Sequence, residues 1–156
     1  MKKKLPSYHY MLSNYPTHGT LEEIKAEIGG AVDQEHYKNS CIMRISKALN
    51  YSGNHIPPDS SLFRTKRGKD GLNYGLRVGE FWNYMHRTYG KPTIHSPRGK
   101  KANWEDFSGV SGIIGFRVKF KDATGHFSLF SGYRVVYGGE KHDYFGIAYE
   151  AALWAA

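Results

Sequence analysis

The chain has 156 residues, 40% of them hydrophobic, with 12 Tyr, 8 Phe and 3 Trp; this suits a single domain over 1–156 with a real core and excludes a disordered chain. Lys and Arg number 22 against 14 Asp and Glu, a formal charge of +8, so an anionic partner is expected, nucleic acid or a cell-wall polymer serving equally well. One cysteine excludes an internal disulfide, and no apolar run is long enough for a membrane span or follows the basic start Lys2-Lys3-Lys4 as a signal peptide requires.

Thr20-Leu21-Glu22-Glu23 is a capping box, and Leu21, Ile24 and Ile28 mark a short helix that Gly29-Gly30 ends. A second helix starts at Cys41. Asn39 and Ser40 are N-cap types; Ile42, Ile45 and Leu49 recur at i, i+3 and i+7; Ser52-Gly53 is the stop. Pro57-Pro58-Asp59-Ser60-Ser61 separates it from a basic loop running to about Gly75. From Arg77 to Tyr89 the apolar Val78, Phe81, Trp82, Met85 and Tyr89 follow the helical period, closed by Gly90 and Pro92. The period then changes. Ile114, Phe116, Val118 and Phe120 alternate with Gly115, Arg117, Lys119 and Lys121, a half-buried strand. Asp122-Ala123-Thr124-Gly125 turns the chain into a strand from His126 to Phe130. Ser131-Gly132 reads as a two-residue hairpin loop, Tyr133 to Tyr137 as the next strand, and Tyr144 to about Trp154 as a last extended segment. Helices followed by an antiparallel sheet make an α+β protein.

A thiol at a helix start feels backbone N–H groups and the positive end of the helix dipole, both of which favour the thiolate, so Cys41 is a candidate nucleophile. The alternative is a small buried hydrophobe. Of the eight histidines, only His126 has a distinctive setting: it opens a strand directly after a glycine turn, where its ring can stand over a cleft. Cysteine on a helix and histidine on a later strand is the layout of papain-fold cysteine peptidases, in which histidine takes the thiol proton and a third polar group fixes the imidazole. The sequence has no His-Glu-x-x-His, no paired cysteines, no phosphate loop and no Gly-x-Ser-x-Gly, so neither metal nor cofactor is expected.

Several stretches occur in order over roughly residues 20 to 146: Ile28-Gly29-Gly30-Ala31-Val32, the run from Asn39 to Gly53, Tyr74-Gly75-Leu76-Arg77-Val78, Gly112-Ile113-Ile114-Gly115-Phe116 and Asp122-Ala123-Thr124-Gly125-His126-Phe127. Together they resemble the family-four type VI secretion amidase effectors. The resemblance implies a papain-like fold related to NlpC-type peptidases. It implies cleavage of peptidoglycan stem peptides between γ-D-glutamate and meso-diaminopimelate, by a toxin delivered through type VI secretion into a rival's periplasm. An immunity protein that occludes the cleft protects the producer; no nucleic acid or membrane partner is implied. Cys41 matches the family's nucleophile and His126 its general base.

The chain departs from the family at the third catalytic residue, an aspartate normally set between two cysteines. Here Tyr137-Gly138-Gly139-Glu140-Lys141-His142-Asp143-Tyr144-Phe145 contains no cysteine. Asp143 and Glu140 are the candidate orienters, His142 a poor third. Asp143, just before an aromatic pair at the start of an expected strand, is held more firmly than Glu140 in its glycine-flanked turn. The reading from another class is a non-enzymatic basic protein, binding nucleic acid or wall polymer, with Cys41 merely buried.

Overall fold

Among the residues that the computed structural model describes, 2–34, 36, 40–119, 125–137 and 143–156, six strands and four α-helices organise the chain. Helix α1 (Tyr8–Ser13) and helix α2 (Leu21–Ile28) come first, followed by a single 3-10 turn at Val32–Gln34. The capping box of α2 is made as expected: the Glu23 N–H donates to Thr20 Oγ1 at 3.2 Å and the Thr20 N–H to Glu23 Oε1 at 3.2 Å. Helix α3 (Cys41–Tyr51) begins at the cysteine, and helix α4 (Val78–Tyr89) carries the aromatic stripe and ends at Gly90. Between them the basic segment, expected to be a loop, contains a hairpin. Strand β1 (Thr65–Arg67) pairs antiparallel with β2 (Asn73–Gly75), with Asp70-Gly71 in the connection. Asp70 fastens that connection, accepting from the Leu72 N–H at 2.9 Å and from the hydroxyls of Tyr51 and Tyr74 at 2.7 and 2.6 Å.

Strands β3 (Ile94–Ser96), β4 (Gly112–Arg117), β5 (Gly125–Phe130) and β6 (Glu150–Ala155) form an antiparallel sheet in the order β3-β6-β4-β5. Strand β4 is therefore central, and it is covered on both sides rather than half-buried. Ile113 faces the helices with Phe127, Leu129 and Trp154; Ile114 and Phe116 face a second cluster with Phe130, Tyr144 and Leu153. Two of the residues expected to face water, Gly115 and Arg117, are covered as well, while Lys119 is exposed. A Cβ on Gly115 would lie 2.6 Å from the Phe127 ring, and the Arg117 guanidinium stacks 4.2 Å from the Trp82 ring centroid. Residues 120–124, which include the expected end of this strand and most of its turn, lie outside the described residues.

The hairpin after β5 also differs from expectation. Ser131-Gly132 is not a two-residue loop. The Ser131 N–H donates to the Arg134 carbonyl at 3.0 Å, the Val136 N–H to Leu129 at 2.9 Å, and Phe130 bridges Val135, not Tyr133. Residues 133–137 make that one bridge and no named strand, and the last strand starts at Glu150 rather than Tyr144. Ser131 causes the change: its Oγ accepts from the N–H groups of Tyr133 and Arg134 at 3.2 and 3.1 Å, stabilising a wider turn than periodicity alone indicates.

Glu150 ties three strands together. It is buried, and its carboxylate meets His95 Nε2 at 2.7 Å and Arg98 Nε at 3.0 Å, with Arg117 Nε also at 3.0 Å but off the N–H axis. Burial alone would raise its pKa; the hydrogen bonds from His95 and Arg98 and the Arg117 charge outweigh it and leave the carboxyl below 4.5. A group whose folded pKa is depressed stabilises above the unfolded value and loses that contribution as pH falls through the folded value. Glu150→Gln should therefore melt below the native chain at pH 7, with the gap closing below pH 4.5. Thermal melts from pH 7 to 3 measure this, and a gap constant across that range would contradict the assignment.

Candidate active site

Cys41 is the first residue of α3, its thiol wholly buried. Ser40 occupies the N-cap position but makes no side-chain cap, contrary to the expectation from sequence; its hydroxyl accepts from Arg44 Nε at 2.7 Å. The Ser40 Oγ therefore does not take up the N–H groups of the first turn of α3. Asn39, the other expected cap, lies outside the described residues.

Arg44 is 1% exposed and grips the chain ahead of α2. Its Nη1 donates to the carbonyls of Pro16 at 3.2 Å and His18 at 2.6 Å, and its Nη2 to Gly19 at 2.6 Å. A planar guanidinium can serve several carbonyls in fixed directions, which a lysine cannot. Two residues further, the Gly75 N–H at the end of β2 donates to Ser46 Oγ at 2.9 Å. Asn50 accepts from the Ile56 N–H at 2.7 Å and donates to the Asn73 carbonyl at 2.8 Å. The polar positions of the Cys-x-x-Arg-x-Ser-x-Ala-Leu-Asn block thus hold three separate segments around the helix that presents Cys41.

His126 is the second residue of β5, and α3 packs on β5. Its ring is 2% exposed, lies 5.3 Å from the Tyr144 ring at 59°, and its Nε2 is sealed from solvent. Phe116 pairs with both His126 and Ala151, so these three side chains share one face of the sheet. The next residue, Phe127, faces the helices among Phe81, Trp82 and Trp154. Sequence reasoning passed over Tyr144 as a partner of the imidazole; its only signal was the aromatic pair with Phe145.

Asp143 is exposed and precedes a turn rather than opening a strand. Its Oδ1 accepts from the Phe145 N–H at 3.1 Å, which fixes the carboxylate one residue from the Tyr144 ring that covers His126. Glu140 and His142, the other candidate orienters, lie outside the described residues. Among the described residues, no group of three His, Cys, Asp or Glu is arranged to hold a metal, and no helix is long and apolar enough to cross a membrane.

A family model described as type VI secretion system (T6SS), amidase effector protein 4, matches residues 37–154. Among solved structures, the chain is similar to the type VI effector Tae4 from Enterobacter cloacae, at 27% identity and a TM-score of 0.85 over 99% of each chain. It is similar also to Tae4 from Salmonella typhimurium in complex with the immunity protein Tai4 from Enterobacter cloacae, at 25% identity and a TM-score of 0.82 over 96% of this chain and 98% of that one. The Tae4 of the Salmonella Typhimurium Tae4–Tai4 complex gives 25% identity and a TM-score of 0.85 over 97% and 99%. No curated protein matches the sequence significantly.

Arg44→Ala would strip partners from three loop carbonyls and the Ser40 hydroxyl, at a cost of about 3 kcal/mol of stability. Arg44→Lys should recover less than half of that, because one ammonium cannot reproduce the fork. Urea unfolding of both variants checks the prediction; a lysine variant as stable as the native chain would contradict it.

Proposed function

The chain belongs to the type VI secretion system amidase effector 4 family, and on that footing we propose that it kills rival bacteria by opening peptidoglycan stem peptides with a Cys41–His126 pair. The fold is the papain-like, NlpC-type α+β arrangement of that family. One observation carries the assignment of the reactive pair: the family match over residues 37–154 spans both Cys41, at the start of α3, and His126, on the strand against which α3 packs.

In the proposed reaction His126 takes the Cys41 proton and the thiolate sulfur attacks the amide carbonyl carbon. The N–H groups at the start of α3 receive the oxyanion, since Ser40 spends its hydroxyl on Arg44 instead of capping them. The C–N bond breaks, His126 protonates the departing amine, and water attacking the thioester returns the thiol. The bond implied by the sequence resemblance is that between γ-D-glutamate and meso-diaminopimelate. Asp143 is the proposed orienter of the imidazole. Its Oδ1 is engaged by the Phe145 N–H, and Oδ2 is the oxygen for the ring. Tyr144 on the imidazole keeps the pair dry.

The relatives from Enterobacter cloacae and Salmonella Typhimurium are held in complexes with Tai4, and this chain takes a cognate immunity protein that covers its cleft. The site of action is the periplasm of the target cell. Expression confined to the cytoplasm should then be tolerated, while expression forced into the periplasm should lyse the host; equal toxicity in both compartments would point to a cytoplasmic target.

Cys41→Ala should abolish release of muropeptides from purified sacculi with the thermal midpoint nearly unchanged. A variant that digests sacculi at the native rate would end the mechanism. Asp143→Ala should lose on the order of 10²-fold or more in initial rate, given what the orienting member is worth in other triads, and Glu140→Ala much less. If Glu140→Ala is the inactive variant instead, the orienter has been misplaced within the loop.

A further inference from the structure

A groove of about 570 Å³ opens at the end of the sheet where β4 leaves and β6 begins, lined by Gly99, Lys100, Lys101, Val118, Lys119, Ile147 and Tyr149. Backbone hydrogen bonds fix its walls. The Tyr149 N–H donates to the Arg117 carbonyl at 3.0 Å and the Gly99 N–H to the Tyr149 carbonyl at 3.1 Å. The Lys119 ammonium is held 5.6 Å over the Tyr149 ring. Among the described residues, no carboxylate pairs with Lys100, Lys101 or Lys119, although Arg98, just before them, is tied to Glu150. The groove therefore gathers three lysines that no described carboxylate compensates beside the apolar Val118 and Ile147.

Its position ties it to the reactive end of the sheet. Phe116 stands opposite His126. Val118 is two residues on and belongs to the same apolar cluster as Phe116 and Tyr144. Val118 stands two residues of chain, about 7 Å, beyond Phe116, which puts the groove on the sheet face that carries His126. We propose that Lys100, Lys101 and Lys119 form a subsite that binds the carboxylates of the peptide being cleaved. The subsite rests on the amidase reading, and it sets a preference for stem peptides that carry unmodified carboxylates over those carrying carboxamides. A peptide is favoured over nucleic acid because the apolar lining is Val118 and Ile147 with the single ring of Tyr149, not a row of stacking rings.

The test uses the full chain with Cys41→Ala, which blocks turnover, titrated with a stem tetrapeptide bearing free carboxylates, with the same peptide amidated, and with a short DNA duplex. The free-carboxylate peptide should bind about 10-fold or more weakly after Lys100→Ala, Lys101→Ala and Lys119→Ala are combined. The amidated peptide should bind weakly to both proteins. Circular dichroism melts confirm that the combined variant folds, and Lys119→Arg alone should retain native affinity. Equal affinities for the two peptides, no loss in the combined variant, no binding of the peptide at all, or tighter binding of the duplex through the same lysines would each overturn the subsite. Tight, lysine-dependent binding of a peptide that the native enzyme fails to cleave would leave the subsite standing and remove the amidase reading.

Discussion

Burial of α3 on every side but the one that carries Lys47 and Tyr51 is the constraint from which the rest of the structure follows. An amphipathic helix at a surface needs partners on one face; this helix buries Arg44, Ser46 and Asn50 as well as Ile42, Ile45 and Leu49. Polar groups removed from water must be hydrogen-bonded or they cost stability. Each of the three finds its partner in the backbone of a different segment: the 16–19 stretch, the end of β2, and Ile56 with Asn73. The same bonds that satisfy the helix therefore shape the loops around it. Gly75 shows how tight the fit is, since a Cβ there would lie 2.7 Å from the Phe63 ring while its N–H reaches Ser46.

A helix held so firmly gives its first residue a defined position. The thiol of Cys41 sits at the junction of α3 with the sheet, and Arg44 draws the Ser40 hydroxyl away from the ordinary capping role. That exchange gives up the stabilisation that a serine N-cap ordinarily supplies. On the sheet side, β5 is fixed through its ladder with β4, and β4 in turn by β6 with Glu150 against Arg117. Both members of the proposed pair thus stand on regular elements, so their separation is set by core packing rather than by loops.

Helices α2, α3 and α4 and the cysteine's place at a helix start were legible because periodicity and caps are local signals, whereas α1 was not foreseen. Thr20 and Glu23, Val78 through Tyr89, and Gly90 all behave as their spacing indicates. What the sequence obscured depends on long-range pairing. The β1–β2 hairpin had an Asp-Gly turn, but Lys66 and Arg67 gave no apolar alternation to flank it. Gly115 and Arg117 read as outward-facing, yet the partners that cover them, Phe127 and Trp82, lie on other elements. Ser40 was read correctly as an N-cap in position and wrongly in its bond, because its competitor is a buried arginine one turn away.

The turn after β5 has the largest chemical consequence. A two-residue loop would set Phe130 against Tyr133 and, continued down the ladder, His126 against Tyr137. The observed bridge from Phe130 to Val135 shifts that register by two residues, and the Leu129–Val136 hydrogen bond follows it. Tyr137 then falls across from Ser128, whose hydroxyl already joins Tyr15 and the Val136 carbonyl. The proposed orienter of the imidazole, Asp143, lies further along the chain. Tyr144 already reaches the ring from there, and the acidic side chain directly before it is Asp143. Two hydrogen bonds from the Tyr133 and Arg134 N–H groups to one serine hydroxyl thus set the register in which the chain leaves β5.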